Sequence, residues 1–141
     1  MRAYFDYDHS GGLTTRQSRT RLIIFLNSSP IYWFLKRQTL AETSSFGSEF
    51  IAIKQCCEYV RAMCYNIRMA GTPMDLPTYI TGYTKYLICN TSKPHSILKN
   101  KSSSIAFHFI REGTAKDEWK TAYINTHLNT ANILTKLLSG G

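Results

Sequence analysis

The sequence predicts an α/β domain, a mixed sheet with helices packed on its faces. Three observations carry that reading. Short aromatic and β-branched runs fill the first third of the chain at 3–8, 21–27 and 31–37. From Phe46 the apolar spacing changes from two to three-and-four. Beyond that point strand-like and helix-like segments alternate, the pattern of a sheet covered by helices. With 141 residues the whole chain, 1–141, reads as a single domain around one core.

Each element has its own signal. "AYFDYD" (3–8), "RLIIFLN" (21–27) and "IYWFLKR" (31–37) read as strands, and the turn residues "SSP" make the last two a hairpin. A helix follows, with Phe50, Ile53, Cys57, Val60, Cys64 and Ile67 on one stripe, Ser44 or Ser45 as cap and Gly71 with Pro73 as stop. "PTYITGY" (77–83) is a fourth strand, and "TKYLICNT" is equally compatible with strand or short helix. "HSILKNKSSS" is a basic loop. "SIAFHFIREGTAK" (104–116) is helical, "EWKTAYIN" (118–125) is a fifth strand and "NTANILTKLL" (129–138) a closing helix.

Composition narrows the class. Hydrophobic residues make up 43% and charged residues 18%, too apolar a mixture for a disordered chain. Lysine and arginine outnumber the acids 17 to 9, for a net charge of +8, which favours a polyanionic partner. Nucleic acid comes first and an acidic membrane surface second. Cys56 and Cys57 are adjacent, Cys64 and Cys89 stand apart, and no C-x-x-C pair occurs. That pattern argues against zinc and a disulfide framework and predicts an intracellular protein, cytoplasmic or nuclear, rather than a secreted one. The N-terminus lacks a charged-then-apolar leader pattern, and Asn-Ser-Ser-Pro interrupts the greasiest region, so no membrane attachment is expected.

Two aspartates, Asp6 and Asp8, stand at the exit of the first strand, just before a glycine pair, and raise the question of a metal site. Of the nine acids most have a plain surface reading: Asp75 in a Pro-flanked loop, Asp117 and Glu118 solvated before a strand. Glu58 lies about 130° from the centre of the helix's apolar stripe and should face water. Glu49 lies only about 50° from that centre, in the first turn, and looks toward whatever the helix covers. A helix laid on the sheet would bring it toward Asp6; the alternative is a boundary glutamate bonded to a neighbouring backbone or lysine.

These residues resemble the ribonuclease H domain at the C-terminal end of Copia-type retrotransposon polyproteins. The resemblance runs from "FDYDHSGGLTTRQSRTRLIIFLNSSPIYWFLKRQTLAETSSFGSEFIAIKQ" through "KPHSILKNKSSSIAFHFIREGTAKDEWKTAYINTHLN" to "ANILTKLL", nearly the whole chain in order. Its most specific blocks are S-[ST]-x-x-x-E-[FY]-x-A and A-[DN]-[IL]-L-T-K. It implies a ribonuclease H-like fold, a mixed five-stranded sheet whose first three strands are antiparallel. It also implies an activity, hydrolysis of the RNA strand of an RNA–DNA hybrid by four acids around two Mg2+ ions. Carried over, the first acid falls on Asp6 in "FDYD" and the second on Glu49 in "GSEF". The third position, in "GYT", holds Tyr83, and the fourth, in "ANILTK", holds Asn132. Two acids are present and two are replaced.

The replacements predict an impaired centre. Unit charges 4 Å apart interact with roughly 4 kcal/mol at an effective dielectric of 20, and two divalent ions with about four times that. Close carboxylates offset this repulsion, and Asp6 and Glu49 alone leave it largely uncompensated, with at most one weakly held Mg2+. Asn132 offers a neutral carbonyl oxygen, whereas the Tyr83 phenol, with a pKa near 10, replaces no carboxylate. Asp8 is a spare ligand whose side chain shares a strand face with Asp6.

The basic surplus survives these losses. Arg16, Arg19, Arg21, Lys36 and Arg37 surround the first hairpin, and Lys93, Lys99 and Lys101 lie in the basic loop. In a hybrid-binding fold they would contact phosphates without reading sequence; otherwise they form a solvated face. Trp33, Phe34 and Trp119 are assigned to the core. The expected partners are an RNA–DNA hybrid or other nucleic acid and, in a polyprotein, the reverse transcriptase domain. A still-active hybrid nuclease and a non-catalytic binding module on the same fold are the competing readings.

Overall fold

The structure, a computed structural model, describes residues 1–8, 18–39, 45–92 and 104–134. Its strands are β1 (Arg2–Asp8), β2 (Arg19–Leu26), β3 (Ser29–Arg37), β4 (Thr78–Gly82) and β5 (Trp119–Tyr123). Its helices are α1 (Ser45–Met69), α2 (Lys85–Ser92) and α3 (Ser104–Ala115), followed by 3₁₀ turns at Thr126–Leu128 and Thr130–Leu134. The strands form one sheet in the order β3-β2-β1-β4-β5. β1, β2 and β3 are antiparallel neighbours, while β4 runs parallel to β1 and β5 parallel to β4. This is the mixed five-stranded sheet the sequence predicts.

Alternation along the strands sorts the sheet into two faces. Ala3 and Phe5 of β1, Leu22 and Ile24 of β2 and Ile80 of β4 are buried together with Phe50, Ile53, Cys57 and Val60 of α1. The predicted stripe is therefore the one α1 lays on the sheet, with Cys64 half-buried toward its end. Burying a side chain of this size stabilises by about 1.5–3 kcal/mol, so this layer supplies most of the cohesion. The helix closes as predicted at Gly71, whose φ of 87° is open to glycine. The amides of Gly71 and Thr72 bond back to the carbonyls of Arg68 and Ile67, the paired bonds that satisfy a helix end. Ser45 is the first helical residue, and Ser44 lies outside the described residues.

One open reading is settled and three expectations need correction. "TKYLICNT" resolves as the helix α2, where the Thr91 hydroxyl bonds back to the carbonyls of Leu87 and Ile88. The closing segment forms 3₁₀ turns through Leu134 rather than a regular helix, while 135–138 lies outside the described residues. There Asn129 competes with helical pairing, since its side-chain nitrogen donates to the carbonyl of Phe5 and its side-chain oxygen accepts from the Ala131 amide. Trp119 is fully buried, but Trp33 is 59% exposed, because on β3 its side chain pairs with Ile23 on the face turned away from α1. Glu118 is not merely solvated, for it pairs with Arg61 at 2.6 Å. Glu58 is exposed as predicted, paired with Lys54 at 2.5 Å.

Candidate functional site at the carboxyl ends of the central strands

The parallel pair β1 and β4 lies at the middle of the sheet, and the chain leaves both strands at the same end. Such a crevice between neighbouring strand ends is where open α/β sheets place their chemistry. β1 delivers Asp6 there, and Tyr4 pairs with Thr81, so Tyr83 follows β4 at the level of Asp6. Gly82 makes this close approach possible, because a Cβ at that position would come within 2.4 Å of the Phe5 ring. Only a bare backbone lets β4 run past Phe5 without moving it.

Glu49 comes to this end of the sheet from the first turn of α1, on the face that α1 covers. Its backbone is fixed by a buried polar cluster at Ser48, whose hydroxyl lies 2.9 Å from that of Ser18. Gln38 completes the cluster, donating to Thr20 Oγ1 and to the Ser48 carbonyl, both at 3.0 Å. These bonds tie the start of β2, the end of β3 and α1 together beneath the glutamate. Glu49 is only 8% exposed, and Tyr7, one residue beyond Asp6, donates its hydroxyl to Glu49 Oε1 at 2.6 Å. The Tyr7 ring stacks on Tyr83, with centroids 5.7 Å apart and planes within 8°.

Asp6 is bound differently. It stands directly across from Arg21 in the β1–β2 register, and Arg21 Nη1 donates to Asp6 Oδ2 at 2.5 Å. Arg21 Nη2 lies 3.7 Å from Asp8 Oδ2. The guanidinium thus faces both carboxylates of the strand end. Asp6 is 3% exposed and Arg21 mostly buried, so this is an interior pair.

Burial dominates the electrostatics of all three groups. It pushes the Asp6 carboxyl above its ordinary value, against the pull of Arg21 and of a backbone bond from Tyr7. It raises Glu49 likewise, while hydrogen bonds from Tyr7 and Thr84 act in the other direction. The Tyr83 phenol is pushed up to about 12, chiefly by burial, and the charges of Asp6, Glu49 and Arg21 all act on it. Tyr83 therefore stands as a neutral phenol beside Tyr7, within reach of the charges of Asp6 and Glu49.

Asn132 lies on the second 3₁₀ turn, where its side-chain amide donates to the Thr126 carbonyl at 2.5 Å. That turn packs against β1 and β2 and is tied to β1 one residue before Asp6 through Asn129. The structure thus joins Glu49, Tyr7 and Tyr83 in one polar cluster, sets Asp6 with Arg21 at the same strand end, and places the segment carrying Asn132 beside β1. Sequence reasoning missed Tyr7.

The basic residues divide. Arg21 is drawn inward by Asp6 and leaves the set available to phosphates, a correction to the sequence reading. Lys36 and Arg37 are exposed on β3, and Arg19 pairs in register with Arg37. Arg16, Lys93, Lys99 and Lys101 lie outside the described residues.

The donor set does not fit a pair of divalent ions. Among the described residues no three His, Cys, Asp or Glu side chains gather as a cation cage. Asp6 and Glu49 are each held by a protein donor, Arg21 for Asp6 and Tyr7 for Glu49.

No family model matches the chain. It is 26% identical, over 141 residues and 99% of its length, to the Retrovirus-related Pol polyproteins from transposons RE2 and RE1 of Arabidopsis thaliana. To the corresponding polyprotein from transposon TNT 1-94 of Nicotiana tabacum it is 26% identical over 145 residues and 98% of its length. The chain spans about a tenth of the length of these relatives. Among solved structures it superposes on LC11-RNase H1, isolated from compost by a metagenomic approach, with a TM-score of 0.71 and 12% identity. That match covers 94% of this chain and 90% of the other. RNase H1 from the halophilic archaeon Halobacterium salinarum NRC-1 matches with a TM-score of 0.67 and 11% identity over 91% and 87% of the two chains. LC11-RNase H1 in complex with an RNA/DNA hybrid matches with a TM-score of 0.66 and 12% identity over 92% and 88%.

The fold is that of ribonuclease H. The chain's relatives in sequence are Retrovirus-related Pol polyproteins from transposons.

Proposed function

We propose that this domain engages RNA–DNA hybrid, or a related nucleic acid, within a transposon Pol polyprotein, and that it hydrolyses the RNA strand poorly or not at all. The observation that carries the reading is the state of the strand-end cluster. Asp6 and Glu49 stand where the resemblance requires acids, but the third position holds Tyr83, a neutral phenol stacked on Tyr7. Hydrolysis of this type needs one ion to activate water and another to stabilise the leaving oxygen, and close carboxylates to offset their repulsion. With the third acid replaced by Tyr83 and the fourth by Asn132, the cluster lacks that compensating charge. Mg2+ is accordingly weakly held or absent, with Asp6 and Glu49 its only acidic ligands among the four positions.

Binding is a separate property and rests on the basic surplus. Arg19, Lys36 and Arg37 lie on the β2–β3 hairpin, and Lys36 and Arg37 are exposed. They suit phosphate contacts that depend on charge rather than on base sequence. One partner structure of this fold holds an RNA/DNA hybrid, which favours the same class of ligand here. If the chain is part of a polyprotein, as its much longer relatives suggest, the resemblance makes the reverse transcriptase domain its partner. Among the described residues no helix is long and apolar enough to cross a membrane.

Incubation with a labelled RNA–DNA hybrid and Mg2+ or Mn2+ tests the catalytic half. No cleavage above a protein-free control is expected, and cleavage that disappears in Asp6→Asn would overturn the reading. A binding titration tests the other half. Hybrid affinity should fall steeply with salt and weaken in a Lys36→Ala/Arg37→Ala variant, whereas a flat salt response would exclude phosphate-driven attachment.

A further inference from the structure

We propose that Arg21 is the resident cation of the strand-end centre: its guanidinium takes the charge-neutralising place at Asp6 and keeps divalent ions out. This rests on reading the cluster at the ends of β1 and β4 as a centre of the ribonuclease H type.

The placement follows from register. In an antiparallel pair, residues directly opposite share a face, and Asp6 is opposite Arg21 while Asp8 is opposite Arg19. Arg21 lies on the face turned away from the α1 core, as Asp6 and Asp8 do, because its neighbour Leu22 faces that core. Its side chain is long enough for one nitrogen to reach Asp6 at 2.5 Å while a second lies 3.7 Å from Asp8. A planar fork with fixed donors suits this bridging role, and its charge persists across the accessible pH range.

Exclusion follows from distance. A magnesium or manganese ion binds a carboxylate oxygen at about 2.1 Å, so an ion on Asp6 Oδ2 would sit within about 5 Å of the guanidinium nitrogen on that oxygen. Both positive groups would share one buried oxygen. Arg21 is covalently part of the strand opposite, so it reaches the oxygen at no cost in translational freedom, unlike an ion from solution. Among the described residues its Nε is buried without a hydrogen-bond partner, and Asp6 and Asp8 are the carboxylates its other nitrogens face. A cluster neutralised from within also needs no metal to fold.

Titration of the purified, nucleic-acid-free domain with Mn2+ tests this directly, read by paramagnetic broadening of NMR signals and by unfolding temperature. In the wild type the Arg21 side-chain and Asp6 amide signals should remain sharp, and the unfolding temperature should not rise. In Arg21→Gln the Asp6 and Asp8 amides should broaden, with Mn2+ affinity at least about tenfold higher than wild type. At ten times the dissociation constant the unfolding temperature of that variant should rise by about 3–6 °C, and the gain should vanish in Arg21→Gln/Asp6→Asn. Broadening of Arg21 or Asp6 in the wild type at sub-millimolar Mn2+ overturns the proposal. So does a folded Arg21→Gln with no gain. If that variant does not fold, the wild-type titration alone decides.

The readout uses no substrate, which separates the two proposals. A wild type that excludes Mn2+ but fails to retain hybrid refutes the functional reading and leaves Arg21 as the resident cation. One that binds Mn2+ yet cleaves nothing does the reverse.

Discussion

Two arginine–carboxylate pairs show what burial does to the same chemistry. Arg21 and Asp6 meet at 2.5 Å at the carboxyl ends of the central strands, with side chains 12% and 5% exposed. Arg61 and Glu118 meet at 2.6 Å toward the other end of α1, with side chains 37% and 31% exposed. The second pair is a latch on the rim of a cavity of about 450 Å³, lined also by Cys64, Tyr65 and Trp119. Its arginine is supported by rings as well, lying 4.5 Å from the Phe109 centroid and 5.1 Å from that of Trp119. Water screens that pair, so either partner can be lost cheaply. The first pair has little water to fall back on, so each partner is committed to the other.

The comparison predicts an order of effects. Arg21→Ala should be the most damaging, removing about 3–5 kcal/mol of stability by leaving a buried carboxylate without its counter-charge. The double variant Arg21→Met/Asp6→Asn should recover much of that loss, and urea unfolding of the set measures both. If the single and double variants are equally unstable, the pair is not the determinant.

Next comes the second carboxylate. Tyr7→Phe keeps the ring stacked on Tyr83 but deletes the donor to Glu49, and should cost about 1–3 kcal/mol. Denaturant midpoints at neutral pH would read it; a loss no greater than that of an exposed tyrosine would mean the bond is unimportant.

A smaller effect depends on pH. Burial raises Glu49 above its ordinary value of 4.5 in the folded state, so the protonated form is favoured there. Stability tied to this group is complete below 4.5 and is lost as the pH rises through the raised value. Glu49→Gln keeps an acceptor for Tyr7 and carries no charge. Its stability relative to wild type should therefore increase between acid and neutral pH, as thermal unfolding across that range would show. A constant difference would mean that Glu49 ionises as it does in the unfolded chain.

The smallest effect belongs to the latch. Glu118→Gln should change stability by no more than about 1 kcal/mol, since a pair exposed to this degree is largely screened. A larger loss would erase the contrast between the two ends.

Much of the fold was legible in the sequence, for identifiable reasons. Phe50, Ile53, Cys57 and Val60 repeat at the helical period, and all four are buried. The same geometry placed Glu49 on the flank of that stripe, near the strand end where it is found. Other contacts were hidden because they depend on register or on distant pairing. Arg21 reads as one more basic residue of a hairpin until the β1–β2 alignment sets it against Asp6. Tyr7 and Glu49 are separated by 42 residues, and no local pattern joins them. Trp33 reads as core by residue type, and its place on the outward face of the edge strand β3 leaves it in solvent.

A crystal of the wild-type domain grown with excess Mn2+, with diffraction recorded at the manganese edge, tests the self-neutralised centre most directly. The account predicts no anomalous peak within coordination distance of Asp6 or Glu49, with Arg21 still bonded to Asp6. A peak bridging Asp6 and Glu49, with the guanidinium displaced, would contradict it.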